Sequence, residues 1–216
     1  VWQKFGEEVC GSKEAAEVIN KKLVQYVDAV DNGLDTVTLK YPDAPVYSLT
    51  EIIELFRPSW KTETRDIDLE FLEAVEWAQK ILKLEIELAR HELEVEAEVE
   101  EQYAKTEDKR LIIIDDNQKR LSGEAIANKL SKYPEPLYLV IYKNEPENWQ
   151  IIAIRKNMST FDLRKPLPEA WGGLIDKEVE KATGVEGTLF CHRGRFLCVA
   201  NSKEGALKLA QLALES

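Results

Sequence analysis

The sequence predicts an α+β fold, a helical first half followed by a mixed sheet with helices. Three observations lead there. Apolar residues over 12–30 and 66–103 recur every three or four positions, the period of one helix face. From about Glu107 the rhythm changes to short apolar runs bounded by turn residues, as strands require. The chain of 216 residues is 44% hydrophobic, enough to build a core, and its length allows one or two domains. The predicted boundary leaves a helical segment over 1–107 and an α+β part over 108–216.

Each element has a local cause. Val1–Glu8 reads as the end of a helix. Ser12 is a natural N-cap for the next, and Glu14 sits in the first turn, where the helix dipole favours negative charge. Ala16, Ile19, Leu23, Val27 and Val30 line its apolar face, and Asn32-Gly33 stops it. A short extended piece follows, with turn residues Tyr41, Pro42, Asp43 and Pro45. Leu49–Phe56 is a short helix closed by Pro58. Asp66–Tyr103 is the longest helical stretch, with a stripe from Val75 through Leu82, Ile86, Ala89 and Leu93 to Ala97. No Gly or Pro interrupts it, and it reads as one helix or two.

In the second part, Leu111–Ile114 is a strand, with Asp115-Asp116-Asn117 as its turn. Ser122 caps a helix running to about Leu130. Leu137–Tyr142 and Trp149–Ile154 form a hairpin about a turn at Asn144–Asn148. Ile175–Thr183 is a helix ended by Gly184. Thr188–His192 and Arg195–Val199 are strands around Arg193-Gly194, and Glu204–Leu214 is the last helix.

Charge and cysteine content exclude several classes. The net charge is −11, with 12 basic and 26 acidic residues over 1–108 (net −14) and 17 against 14 over 109–216 (net +3). Such a chain repels a polyphosphate at long range, so only the second half can host an anion-binding patch. No run approaches the ~20 apolar residues that span a bilayer. Cys10, Cys191 and Cys198 form no CxxC pair, which argues against a zinc cage or disulfide framework and for a reducing, intracellular (cytoplasmic) setting. No phosphate-binding P-loop, nucleophile elbow or dinucleotide fingerprint is present.

Two places can carry chemistry. Asp28 and Asp31 lie three apart on one helix face, at the end where the dipole disfavours carboxylates unless a cation balances them. Hard divalent ions take such oxygen ligands, although Asp31-Asn32-Gly33 is also an ordinary helix stop. The second half gathers Arg155, Lys156, Arg164, Lys165, Arg193 and Arg195 near turns, where Ser159, Thr160 and Gly194 can add donors. Each of these side chains also has a plain reading as solvated surface. His192 ends a strand and can point into a cleft or make an ordinary turn contact, whereas His91 reads as a surface helix residue. Cys191 and Cys198 read as buried strand residues.

Several segments resemble one family in its own order: VWQKFGEEV at 1–9, YVDAVDNG at 26–33, FRPSW at 56–60, FDLRKPLPEAWGGLID at 161–176, GVEGTLFCH at 184–192 and SKEGALKLA at 202–210. They resemble the melanocyte-proliferating-gene-type (Myg) metal-dependent hydrolases and exonucleases, a branch of the DHH phosphoesterase superfamily. The resemblance implies the end of a DHH-type catalytic domain followed by a C-terminal substrate domain. The Asp-His-His segment and the other N-terminal metal motifs of that family are not in these 216 residues. The expectation is therefore a portion of a longer protein, inactive alone, whose partner is the missing DHH region or a companion chain.

On that resemblance Asp31, with Asp28 beside it, matches a Mn²⁺ or Mg²⁺ ligand, and His192, Arg164, Arg195 and Ser159 would hold a phosphate-containing substrate, a nucleic acid among the candidates. The family's glycines after the His192 turn are replaced here by Cys198 and Val199, which weighs against close approach of a phosphate to that backbone. Two other readings stay open: a non-catalytic binding or assembly module that keeps the family's C-terminal fold, and an oligomerisation scaffold built on Asp66–Tyr103. No membrane partner is expected, and an oligomer is left open.

Overall fold

A computed structural model of the protein describes residues 1–38, 43, 46–57, 59–61, 66–115 and 120–216. The expected turn residues Tyr41, Pro42, Pro45, Asp116 and Asn117, and the helix-closing Pro58, lie outside the described residues. The chain divides into two units, Val1–Leu93 and Glu94–Ser216.

In the first unit, α1 (Trp2–Cys10) ends at Gly11, whose φ of 79° supplies the left-handed cap. Arg90 donates from Nε and Nη2 to the Cys10 carbonyl at 3.0 and 2.6 Å, placing a cation on the negative end of that helix. Ser12 caps α2 (Lys13–Ile19) by accepting the Ala15 N–H at 3.1 Å. The helix expected to run regularly to Val30 instead passes through a π turn at Asn20–Val24 before α3 (Gln25–Asp31). One residue is thereby inserted into the helical repeat, which the three-or-four spacing of apolar residues does not reveal.

α4 (Leu49–Glu54) is fixed by a capping box between Ser48 and Glu51 that the spacing of apolar residues does not announce. The Ser48 hydroxyl holds the Glu51 carboxyl below its usual range. α5 is one helix, Ile67–Lys105. Its Ile86 and Ala89 bury against Cys10, Ala15 and Ile19 to form the core of this unit. Among the described residues no helix is long and apolar enough to cross a membrane.

The second unit is built on a five-stranded sheet in the order β1-β2-β3-β5-β4. β1 (Leu111–Ile114) runs parallel to β2 (Tyr138–Asn144) and is joined to it by the crossover helix α6 (Gly123–Leu130). β3 (Glu147–Ala153), β4 (Thr188–Cys191) and β5 (Leu197–Ala200) pair antiparallel. The side-chain alternation of a strand divides the apolar residues between two layers. Ile112, Ile114, Leu139, Ile141 and Ile152 face α6 and the end of α5, through Ile126, Leu130, Val95 and Val99. Tyr138, Val140, Ile151, Cys191 and Cys198 face α7 (Asp176–Thr183) and α8 (Lys203–Glu215).

The β2–β3 hairpin is tighter than expected. Asn144 pairs with Glu147, so only Glu145 and Pro146 form the turn, and Asn148 lies within β3. The turn chemistry of Asn144 and Asn148 suggested a longer loop, but pairing across the sheet extends both strands over them. At the other hairpin, β4 stops at Cys191 and β5 starts at Leu197, leaving His192 through Phe196 as the connection.

The acidic end of α5 is tied down by lysines. Glu96 pairs with Lys132 and, at 3.2 Å, with Lys129. The Lys132 bond holds the Glu96 carboxyl below its usual range. A folded-state pKa below the unfolded one stabilises the fold above the unfolded value, and that contribution disappears as pH falls through the lowered one. With the two side chains 29% and 38% exposed, the contribution is modest. Glu96→Gln is expected to lose about 0.5–1 kcal/mol at pH 7 and nothing in acid. Urea unfolding at pH 7 and pH 2.5 checks it: an equal loss at both pH values would assign the effect to packing.

Candidate functional site

The connection between β4 and β5 folds around its histidine. Arg195 donates its N–H to the His192 carbonyl at 2.8 Å, and His192 donates its own to the Leu197 carbonyl at 2.8 Å. Arg195 adopts a φ of 57° to close the turn. The Gly194 N–H donates to His192 Nδ1 at 2.9 Å. An accepting Nδ1 puts the proton of the neutral ring on Nε2. Nε2 has no protein partner among the described residues, so the ring presents a single N–H donor outward. Phe196 lies against the imidazole at 4.2 Å between centroids, and Phe190 meets it edge-on at 6.1 Å.

Arg193 is exposed and Arg195 half-buried on the same turn, and neither guanidinium has a carboxylate partner among the described residues. Among the described residues Lys22, Lys105, Lys177 and Lys203 each pair with an acid, whereas the two arginines, like the exposed Lys208 of α8, do not. The Trp171-Gly172-Gly173 segment supports the turn from below. The Arg195 carbonyl accepts the Leu167 N–H at 3.0 Å, and Gly173 donates to the Cys191 carbonyl at 3.0 Å. A Cβ at Gly172 would lie 3.2 Å from Arg195 Cγ. The Leu167–Gly173 segment therefore acts as a seat for the arginines.

Cys198 and Val199 fall on opposite faces of β5. Cys198 is fully buried in the α8 layer, directly opposite Cys191 on β4. Their mutual hydrogen bond and burial push the Cys198 thiol up, so it stays protonated. Val199 pairs with Phe190, on the face shared with Leu197. All three cysteines are buried free thiols, Cys191 and Cys198 as their strand positions suggest.

A cavity of about 930 Å³ adjoins the turn. It lies between α6 and the part of the sheet that α6 does not cover. Ile141, Ile152 and Leu197 line it, and Gly194 and Phe196 form its border with the turn. Arg155 and Phe161 stand at its edge, with the guanidinium 4.5 Å from the ring centroid. Gly123 lets α6 press close, since a Cβ there would lie 2.8 Å from Ile152 Cδ1. No local motif marks Phe161, Phe196 and Gln150 as site residues, because they share a cavity only through the β3–β5 pairing and the Arg155–Leu163 bridge.

The other expected residues lie elsewhere. Arg164 donates to the Pro136 carbonyl at 2.9 Å and the Ser131 carbonyl at 2.6 Å, stapling the segment after α6. Ser159 sits in an exposed turn organised by Asn157, whose Oδ1 accepts the Ser159 and Thr160 N–H groups at 2.9 and 3.0 Å. His91 is exposed on α5. Asp28 and Asp31 are exposed on α3, and Asn32 donates to the Asp28 carbonyl at 2.7 Å. Among the described residues no group of three or more His, Cys, Asp or Glu side chains could hold a metal ion. The described residues thus do not by themselves fit a Mn²⁺ or Mg²⁺ centre.

Comparison with known proteins matches residues 1–214 to the MYG1 exonuclease family, described as an uncharacterised protein family (UPF0160). The chain is similar to the MYG1 exonuclease of Mus musculus, 27% identical over 238 residues that take in 98% of this chain and 60% of that protein. It is similar to the MYG1 exonuclease of Homo sapiens, 28% identical over 209 residues, 90% of this chain and 54% of that protein. A MYG1 protein of Chlamydia muridarum is 28% identical over 208 residues, 94% of this chain and 66% of that protein. The chain therefore spans a little over half the length of the mammalian relatives. No solved structure matches it. A family match over nearly the whole chain, with the 161–176 segment acting as the seat of the basic turn, makes this chain a member of the MYG1 exonuclease family.

Proposed function

We propose that this chain is the substrate-holding part of a nuclease, with the His192–Arg195 turn gripping the phosphate of a nucleic-acid strand. The observation that carries the reading is the unpaired donor set: His192 Nε2–H and the guanidinium groups of Arg193 and Arg195, with no carboxylate partner among the described residues. Arginine forks match phosphate oxygens in geometry as well as charge. The relatives named MYG1 exonuclease supply the substrate class.

In this proposal the enzyme hydrolyses phosphodiesters with divalent metal, and the chain alone does not. Asp28 and Asp31 would contribute to a metal centre only together with donors from a DHH-type region or a companion chain. Arg164 contributes by holding the segment after α6, and Ser159 lies near enough in sequence to Phe161 to border the strand. Three free thiols support an intracellular setting.

The exposed, incomplete carboxylate pair favours a second reading, a binding module without catalysis in any assembly. Both readings are tested by incubating the chain with a labelled single-stranded oligonucleotide and Mn²⁺. The expected result is salt-sensitive binding without cleavage. Cleavage at enzymatic rates overturns the holding role, and absence of binding at about 50 mM salt overturns both readings. Adding the remaining portion of a longer relative separates them: restored, metal-dependent cleavage favours the nuclease.

A further inference from the structure

The cavity beside the turn combines an apolar floor with a few polar side chains. Its floor is the isoleucine and leucine surface of β2, β3 and β5. Phe161, 83% exposed, stands at its edge with Arg155 held over the ring. Such an aromatic gains most by covering another π-face.

Two amides break the apolar lining. Gln150 on β3 and Asn128 on α6 are half-buried, and nothing among the described residues hydrogen-bonds to either side chain. A carboxamide carries two donors and a two-lone-pair acceptor, and a ligand that shields these from water without meeting them binds at a cost. An alkyl ligand would use the floor and strand the amides. A sugar would meet the amides and waste the floor. A nucleobase does both, stacking through its face and pairing through its edge, as Gln and Asn do with adenine elsewhere. The volume of about 930 Å³ lies in the range of small-ligand sites.

We infer that this cavity is a nucleobase subsite. The inference rests on the phosphate-gripping reading only for the position of the attached phosphate. Gly194 and Phe196 belong to both the turn and the cavity wall, and the Phe196 ring lies 4.2 Å from that of His192. A strand whose phosphate meets Arg195 and His192 therefore presents its neighbouring base to the cavity.

Anisotropy titrations with two end-labelled single strands test this, one intact and one carrying abasic residues at both ends. The abasic strand is expected to bind about 10-fold more weakly, the size of one base–aromatic stack. Phe161→Ala, at a largely exposed position, and Gln150→Ala should each shrink that ratio while leaving the salt dependence unchanged. Equal binding of the two strands with the salt dependence intact overturns the base subsite and leaves the phosphate grip standing. If neither strand binds, the phosphate reading falls and adenosine decides the subsite alone. Shifts of the Gln150 and Asn128 side-chain amide resonances with adenosine, and not with ribose, support it; no shift overturns it.

Discussion

Gly187→Ala is expected to destabilise the second unit by about 3 kcal/mol, while Gly184→Ala costs about 1 kcal/mol. Both glycines hold positive φ, 77° and 66°, where an L side chain is strained. Their surroundings differ. A Cβ at Gly184 meets nothing within 4 Å, so only the backbone preference is lost. A Cβ at Gly187 would lie 2.1 Å from Asn201 Oδ1 and 2.6 Å from its Cγ. The Asn201 main chain is held by its N–H donation to the Gly187 carbonyl at 2.9 Å, so its side chain must swing to another rotamer to make room. The Gly187 N–H is itself bound to Glu180 at 2.9 Å, so α7, β4 and the end of β5 all move together. Urea unfolding of the two variants checks the difference. Equal losses at both positions would mean that Asn201 yields freely and that only conformational preference matters.

The contrast between these glycines also shows what a sequence can disclose. Gly184 is legible as a helix stop because its cause is local, as are the Ser12 and Ser122 caps and the uninterrupted stripe of α5. Gly187 is not, since its neighbour is fourteen residues away and is brought there by β4–β5 pairing. The same division runs through the candidate site. His192, Arg193 and Arg195 stand out as a basic turn between two apolar runs. Nothing local separates Arg195, whose guanidinium meets no acceptor among the described residues, from Arg164, whose nitrogens meet two carbonyls. That difference depends on where Ser131 and Pro136 come to lie, a property of the sheet order. The cavity is still less legible, for Gln150, Asn128 and Phe161 come from a strand, a helix and a loop with no shared spacing.

The largest functional effect is expected at the turn. Replacing both Arg193 and Arg195 by alanine should weaken binding of a single-stranded oligonucleotide by roughly 10–100-fold at low salt, two charge-assisted interactions reduced by their partial exposure. The net charge of −11 does not prevent such binding. At about 0.15 M salt charges are screened over about 8 Å, so only acids close to the turn weigh against the arginines. For a single strand, each phosphate that the protein no longer neutralises takes about 0.7 from the slope of log affinity against log salt. The double variant should therefore flatten the slope by about 1.4. Lys208→Ala, an exposed cation on α8, serves as the control and should leave the slope unchanged. Arg195→Lys separates charge from shape: an ammonium keeps the slope but lacks the planar fork, so affinity falls without flattening. If the double variant and the Lys208 control give the same slope as the parent chain, the turn is solvated surface and the phosphate must be held elsewhere. If Arg195→Lys binds as tightly as the parent, charge alone suffices, and the Gly172–Gly173 seat that holds the Arg195 stem serves the fold rather than recognition.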